Sequence, residues 1–245
     1  MSVPIALQLW SVAGDCAADF FGTLEKVAKM GYDGVEFAGY HGKSASEIKA
    51  KLDELGLKVA GSHVPYQDLI NKTDEVIEFA LAIGNKNVVF PYIVLETESE
   101  WLNLAKELEK IAPKFAEAGL TFLYHNHDHE FKKIGDEFAL DILIRAVGKA
   151  EIDTYWAEFS GVNAVEYLQK YDGLAPLVHI KDMADCRTKS TEVGNGVLDI
   201  AKIADQAIKA GAQWLIVEQE AFTELPPIEA VALCLQNLKE ILVAN

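Results

Sequence analysis

Seven glycines, Gly31, Gly56, Gly84, Gly119, Gly148, Gly173 and Gly211, each end a helix-like segment and stand just ahead of a short apolar run. The runs are GVEF from Gly34, KVAGSHV from Lys58, NVVFPYI from Asn87, LTFLYH from Leu120, EIDTYW from Glu151, LVHIKD from Leu177 and WLIVEQ from Trp214. IALQLW from Ile5 supplies an eighth run ahead of the first glycine. Glycine adopts the left-handed conformation that closes a helix without steric cost, so "helix, glycine, strand" is a backbone signature. Strands alternating with helices at a spacing of about 30 residues imply parallel strands joined by right-handed crossovers. Eight such units predict an α/β protein, a single (β/α)8 TIM barrel with residues 1–245 as one domain. A doubly wound open sheet would instead want a glycine-rich phosphate loop after its first strand, and SVAGDCAADF after Trp10 holds one glycine and no such fingerprint.

The intervening segments carry helix periodicity and caps. Phe20, Leu24, Val27 and Ala28 form one stripe, and Leu104, Leu108, Ile111 and Phe115 another. Ser44 with Glu47 and Thr97 with Glu100 have capping-box spacing, and Pro226 and Pro227 mark the start of a last helix. Pro113 is expected to kink or restart the fourth helix. The leading MSVPIALQLW lacks a basic region and a cleavage site, so it reads as a first strand and not a signal peptide. No window reaches the roughly 18 apolar residues of a membrane span. Cys16, Cys186 and Cys234 show no CxxC spacing, which argues against a disulfide framework or zinc ribbon and for a reducing, cytoplasmic setting. A net charge of -16 has the wrong sign for a nucleic-acid partner.

Barrel enzymes work at the C-terminal ends of their strands. All six histidines, His41, His63, His125, His127, His129 and His179, fall at or just after such an end. For His41 and His129 a surface or hydrogen-bonded role is the simpler expectation. Alternation sends residues two apart to the same face. The fifth strand then points His125 and His127 inward, the sixth Asp153 and Tyr155, the seventh His179 and Lys181, the eighth Glu218 and Glu220. Polar groups buried without partners are costly, so four such pairs require a shared counterpart. His125, Asp153, His179 and Glu218 offer a mixed N/O donor set suited to one divalent Mn, Co, Zn or Fe ion and poorly suited to calcium. An ion-pair network without metal is the competing reading. Gln8, Glu36, His63 and His127 are candidates to hydrogen-bond a sugar, with Trp10 and Trp156 as flat faces for it, although tryptophans also simply fill barrel mouths. Trp101 and Trp214 are assigned to structure.

LQLWSV at Leu7, GYDGVEFAGY at Gly31, YHNHDHEF at Tyr124, DTYW at Asp153, HIKDM at His179, TEVGNG at Thr191 and IVEQE at Ile216 occur in order and nearly end to end. In these the chain resembles the sugar phosphate isomerase/epimerase family of xylose isomerase-like TIM barrels. The resemblance implies one divalent metal near the strand ends and a carbohydrate substrate, with the family's Asp, His and last Glu ligands at Asp153, His179 and Glu218. In the ketose epimerases of the family the fifth strand gives a glutamate that is both ligand and acid/base group, whereas His125 stands there in this chain. A histidine at that place resembles the 2-keto-myo-inositol dehydratase branch and relatives acting on 3-keto-sugars.

A cation beside a polyol favours loss of the proton alpha to a carbonyl by stabilising the enediolate. Glu218 is the expected base, and His125, His127 or Lys181 the group that returns a proton. Return of the proton gives isomerisation or epimerisation; loss of a beta oxygen from a keto-inositol or 3-keto-glycoside gives dehydratase or lyase chemistry. A non-catalytic sugar-binding barrel is the alternative of another class. The endonuclease IV type of barrel would need more metal ligands and a basic groove. With Arg145 and Arg187 as the only arginines, the expected substrate is an unphosphorylated sugar or keto-sugar. TEVGNG offers backbone N–H groups, yet Glu192 and Asp199 give it a local field unfavourable to a dianion. Small-molecule carbohydrate is the expected partner, with no nucleic acid and no membrane, and homo-oligomerisation is left open.

Overall fold

All seven helix-ending glycines adopt positive φ, between +71° and +93°. Each reverses the chain into a strand, and the eight strands are β1 (Ile5–Gln8), β2 (Gly34–Ala38), β3 (Lys58–His63), β4 (Asn87–Phe90), β5 (Thr121–His125), β6 (Ala150–Asp153), β7 (Leu177–Ile180) and β8 (Trp214–Val217). In this computed structural model, which describes residues 3–244, they pair in parallel in chain order, and β8 closes onto β1 to form the barrel. Of the leading MSVPIALQLW, Met1 and Ser2 lie outside the described residues.

The surrounding helices are α1 (Ala13–Ala18), α2 (Phe20–Met30), α3 (Ala45–Leu55), α4 (Tyr66–Asn71), α5 (Thr73–Ile83), α6 (Glu98–Glu117), α7 (Ala139–Val147), α8 (Thr154–Phe159), α9 (Ala164–Lys170), α10 (Ile200–Lys209) and α11 (Pro227–Ala244). Both capping boxes form at the starts of α3 and α6. Pro113 does not restart its helix as two elements: α6 runs unbroken across it. Proline removes one N–H near the last turn, while the buried stripe Trp101, Leu104, Leu108, Ile111 and Phe115 continues past it, so packing outweighs the lost bond. Among the described residues no helix is long and apolar enough to cross a membrane.

Outward strand residues such as Leu7, Val35, Phe37, Phe90, Phe122, Ile152, Ile180 and Val217 join the helices in the main core. Inside the barrel the apolar plug is small: Ala6, Ala60, Val89, Leu123, Leu177 and Ile216, with Trp214 against it. Toward the C-terminal ends of the strands the interior turns polar, since Gln8, Glu36, Glu151, Asp153, His179 and Lys181 are all fully buried. Register sets these neighbours: Gln8 lies opposite Glu36, His125 opposite Glu151, and Asp153 opposite His179. Gly61 makes room for one of them, because a Cβ there would lie 2.5 Å from Glu36 Oε1. The fold therefore turns inward alternation into a stack, apolar below and ionisable above.

Candidate active site

His125, Asp153, His179 and Glu218 come from the ends of β5 to β8, and one ligand atom from each lies within 4.8 Å of those of the other three. Asp153 is placed by its own backbone role. Its Oδ1 caps α8 by accepting from the Trp156 N–H (3.0 Å), and Asn126 clamps the strand end by bonding both the N–H and the carbonyl of Asp153. That leaves Asp153 Oδ2 buried with no hydrogen-bond partner. His179 Nδ1 is 3.2 Å from Glu218 Oε2 and 3.8 Å from Asp153 Oδ2. The Thr154 hydroxyl donates to the His179 carbonyl and ties β6 to β7 at the same level.

Lys181 is the resident cation. Its ammonium pairs with Glu220, lies 3.5 Å from Glu218 Oε2 and 3.8 Å from Asp153 Oδ2, and sits over the rings of Tyr155 and Trp156. Burial opposes its charge, but the three carboxylates outweigh that and hold it protonated far above the ordinary lysine range. Glu218 is buried too, yet Lys181 and His179 keep its carboxyl well below the usual range. Asp153 is pushed up to about 6, burial and the neighbouring Glu218 exceeding the pull of Lys181 and His179. At neutral pH Glu218 is thus an ionised carboxylate beside a permanent ammonium.

A second set lies deeper. Glu151 Oε1 is 2.7 Å from His63 Nε2, 2.9 Å from His125 Nδ1 and 2.8 Å from His179 Nε2. Glu36 Oε2 accepts from Gln8 Nε2 and lies 2.8 Å from His179 Nε2. Burial pushes Glu36 up to about 7, with Glu151 adding to the rise. His63 titrates above its ordinary value, since Glu36 and Glu151 outweigh its burial, whereas burial holds His125 well below.

These positions sort the sequence expectations. His125, Asp153, His179, Glu218 and Lys181 converge as expected. Gln8 and Glu36 are both fully buried and bonded to each other, and Glu36 lies at the Nε2 edge of His179, away from Glu218. His63, part-buried, bonds Glu151 through Nε2. His127 and Trp156 stay available to a ligand. Burial lowers His127 to about 4, and its Nδ1 and the Trp156 Nε1 are buried without hydrogen-bond partners, on rings 5.5 Å apart. Trp10 is 59% exposed at the end of β1. His129 bonds the Ile93 carbonyl, and exposed His41 packs its ring tilted against Phe20, so neither joins the cluster. Sequence reasoning missed Glu151, although it has the same strand parity as Asp153. It also missed Glu130, which is buried and accepts from the Tyr124 hydroxyl and the His127 N–H.

The donor set fits a transition metal on the structure's own terms: two imidazoles, two carboxylates and an unpartnered buried oxygen aimed among them. Comparisons with known proteins agree on the architecture. An inosose dehydratase of Clostridium botulinum (strain Alaska E43 / Type E3) is 25% identical over 65% of this chain, and the aligned stretch spans 62% of that relative's length. A sugar phosphate isomerase/epimerase from Parabacteroides distasonis ATCC 8503 superposes with a TM-score of 0.83 at 22% identity, covering 96% of this chain and 97% of its own. The IOLI protein with a binding zinc atom superposes with a TM-score of 0.74 at 14% identity, covering 98% of each chain. Residues 24–241 match one family throughout, and the chain belongs to the xylose isomerase-like TIM barrel family.

Proposed function

We propose that this barrel is a divalent-metal-dependent sugar isomerase or epimerase that removes a proton alpha to a carbonyl of an unphosphorylated sugar or keto-sugar. The observation that carries the reading is the buried, unpartnered Asp153 Oδ2 set among His125, His179 and Glu218. These four would hold the ion. When bound, a divalent cation supplies positive charge that stabilises oxyanions developing on the substrate.

The chain's own residues supply the rest. Glu218, ionised and at the mouth end of β8, accepts the alpha proton. Lys181, 3.5 Å from Glu218, stays a cation through the cycle and offers charge to an adjacent substrate oxygen without acting as a base. His127 and Trp156 provide a neutral ring nitrogen and an indole N–H for substrate hydroxyls. Glu218, once it holds the alpha proton, is the group that returns it to carbon or passes it to a departing oxygen, while His125, neutral because it is desolvated, serves as a ligand for the ion.

One feature favours a second reading. Where the related epimerases carry a fifth-strand glutamate this chain has His125, and one of its relatives, 25% identical, is an inosose dehydratase. Departure of a beta hydroxyl from the same enediolate would make the enzyme a dehydratase or lyase of a keto-inositol or 3-keto-glycoside.

Incubating the metal-supplemented protein with free sugars and keto-sugars in heavy water tests the common step. The reading expects deuterium at carbon next to a carbonyl, with a changed configuration for an epimerase or loss of water for a dehydratase. Tight sugar binding with no exchange across the panel would make the barrel a binding protein instead.

A further inference from the structure

The two polar sets inside the barrel differ in spacing. Ligand atoms around a tetrahedral ion at bonds of about 2.0–2.1 Å are held about 3.3 Å apart. The pair His179 Nδ1 and Glu218 Oε2, at 3.2 Å, has that separation, at the long end of the hydrogen-bond range. The deeper contacts of Glu151 Oε1 with His63, His125 and His179, at 2.7, 2.9 and 2.8 Å, are instead the length of N–H···O hydrogen bonds. His125 and His179 belong to both sets, and each turns one ring nitrogen toward Glu151.

We propose that Glu151, assisted by Glu36, is a positioning residue for the metal site. By drawing His125 Nδ1 and His179 Nε2 to its own side, it fixes the planes of both rings and leaves His125 Nε2 and His179 Nδ1 for an ion. Glu36 secures the same His179 nitrogen from β2 at 2.8 Å. His63, bonded to the same oxygen of Glu151, buttresses that carboxylate against rotation. His125 Nδ1 has no well-directed hydrogen bond among the described residues, and the carboxylate that faces it at 2.9 Å is that of Glu151. Carboxylates behind metal-bound histidines fix ring orientation and raise ligand basicity, and their loss typically weakens metal affinity 10- to 100-fold. The inference rests on the metal-site reading proposed above.

Titration of the metal-stripped protein with Co(II), followed by calorimetry and the visible absorption of the ion, tests it without any sugar. The wild type is expected to bind one ion per chain. Glu151→Gln keeps size and an acceptor but loses the charge; it should still bind one ion, roughly 10- to 100-fold more weakly, with a shifted absorption band. Glu36→Gln, which touches His179 and not His125, should show a smaller loss in the same direction and serves if the first variant does not fold. Wild-type affinity and spectrum in a folded Glu151→Gln protein would overturn the positioning role while leaving the metal site standing. Two ions in the wild type and one in Glu151→Gln would also overturn it, by making the deeper set a second metal site. No binding by the wild type would remove the metal-site reading itself, and this inference with it.

Discussion

Lys181 and Glu218 show how side-chain identity alone selects a chemistry. A fully buried lysine ordinarily loses its proton, but three carboxylates face this one, so it remains a cation and Glu218 beside it remains an anion. Replacing Glu218 by glutamine leaves an oxygen near the ion and removes the base, and exchange of the alpha proton should fall about 100-fold or more. Exchange at the wild-type rate would move the base to a histidine. His129 offers a separate check on the electrostatics. Burial would lower its pKa, but Glu130 outweighs that and raises it from 6.5 to about 9. A raised folded-state pKa gives stability that is complete below the unfolded value and disappears as pH rises through the folded one. His129→Gln should therefore cost on the order of 1 kcal/mol at pH 6, after allowance for solvent screening, and almost nothing at pH 9.5, measured by urea unfolding. An equal cost at both pH values would contradict the pairing. At this scale His125, Asp153, His179 and Glu218 were legible because polar side chains at inward strand ends are too costly to bury without a common counterpart. The pairing of Glu36 with His179 was not legible, because parity gives a face and says nothing of which side chains meet across a barrel.

The loop after β7 decides whether a phosphate has a place at the mouth. The backbone N–H groups that TEVGNG offers by sequence already have an occupant in the structure. Asp182 accepts from the N–H groups of Met183, Gly194, Gly196 and Leu198, so the loop closes around a carboxylate of the chain itself. Arg145 is bound by Glu137 in a fork, through NH1 and NH2. Competition assays should accordingly find free sugars or keto-sugars binding better than their phosphates, and a tenfold preference for a phosphate would reverse this conclusion. The closure also needs glycine at 196, where a Cβ would fall 2.2 Å from Asp182 Oδ1 and 2.3 Å from the Met183 carbonyl. Gly196→Ala should lower stability by roughly 1–3 kcal/mol or more, the usual cost of overpacking, and an unchanged urea midpoint would show that the loop yields easily. Caps and glycine ends were readable in advance because their signals lie within a few residues. That α6 would not restart at Pro113 was not readable, because the packing that carries the helix across it comes from distant elements.

At the scale of the whole molecule, eight repeats of one local rule close a barrel, and closure brings together residues far apart in the chain, 143 positions for Glu36 and His179 and 210 for Ile5 and Leu215. The architecture was legible because the repeat is periodic and the topology of parallel crossovers leaves few alternatives. The interior layering, a short apolar plug beneath a polar stack, follows from that closure and makes the mouth the place where four strands present donors to a single point. Anomalous X-ray diffraction from crystals grown with Mn(II) or Co(II) examines this most directly. A single peak is expected about 2.0–2.2 Å from Asp153, His179 and Glu218, with His125 completing the set. A peak seated between His63 and Glu151, or none at saturating metal, would contradict it.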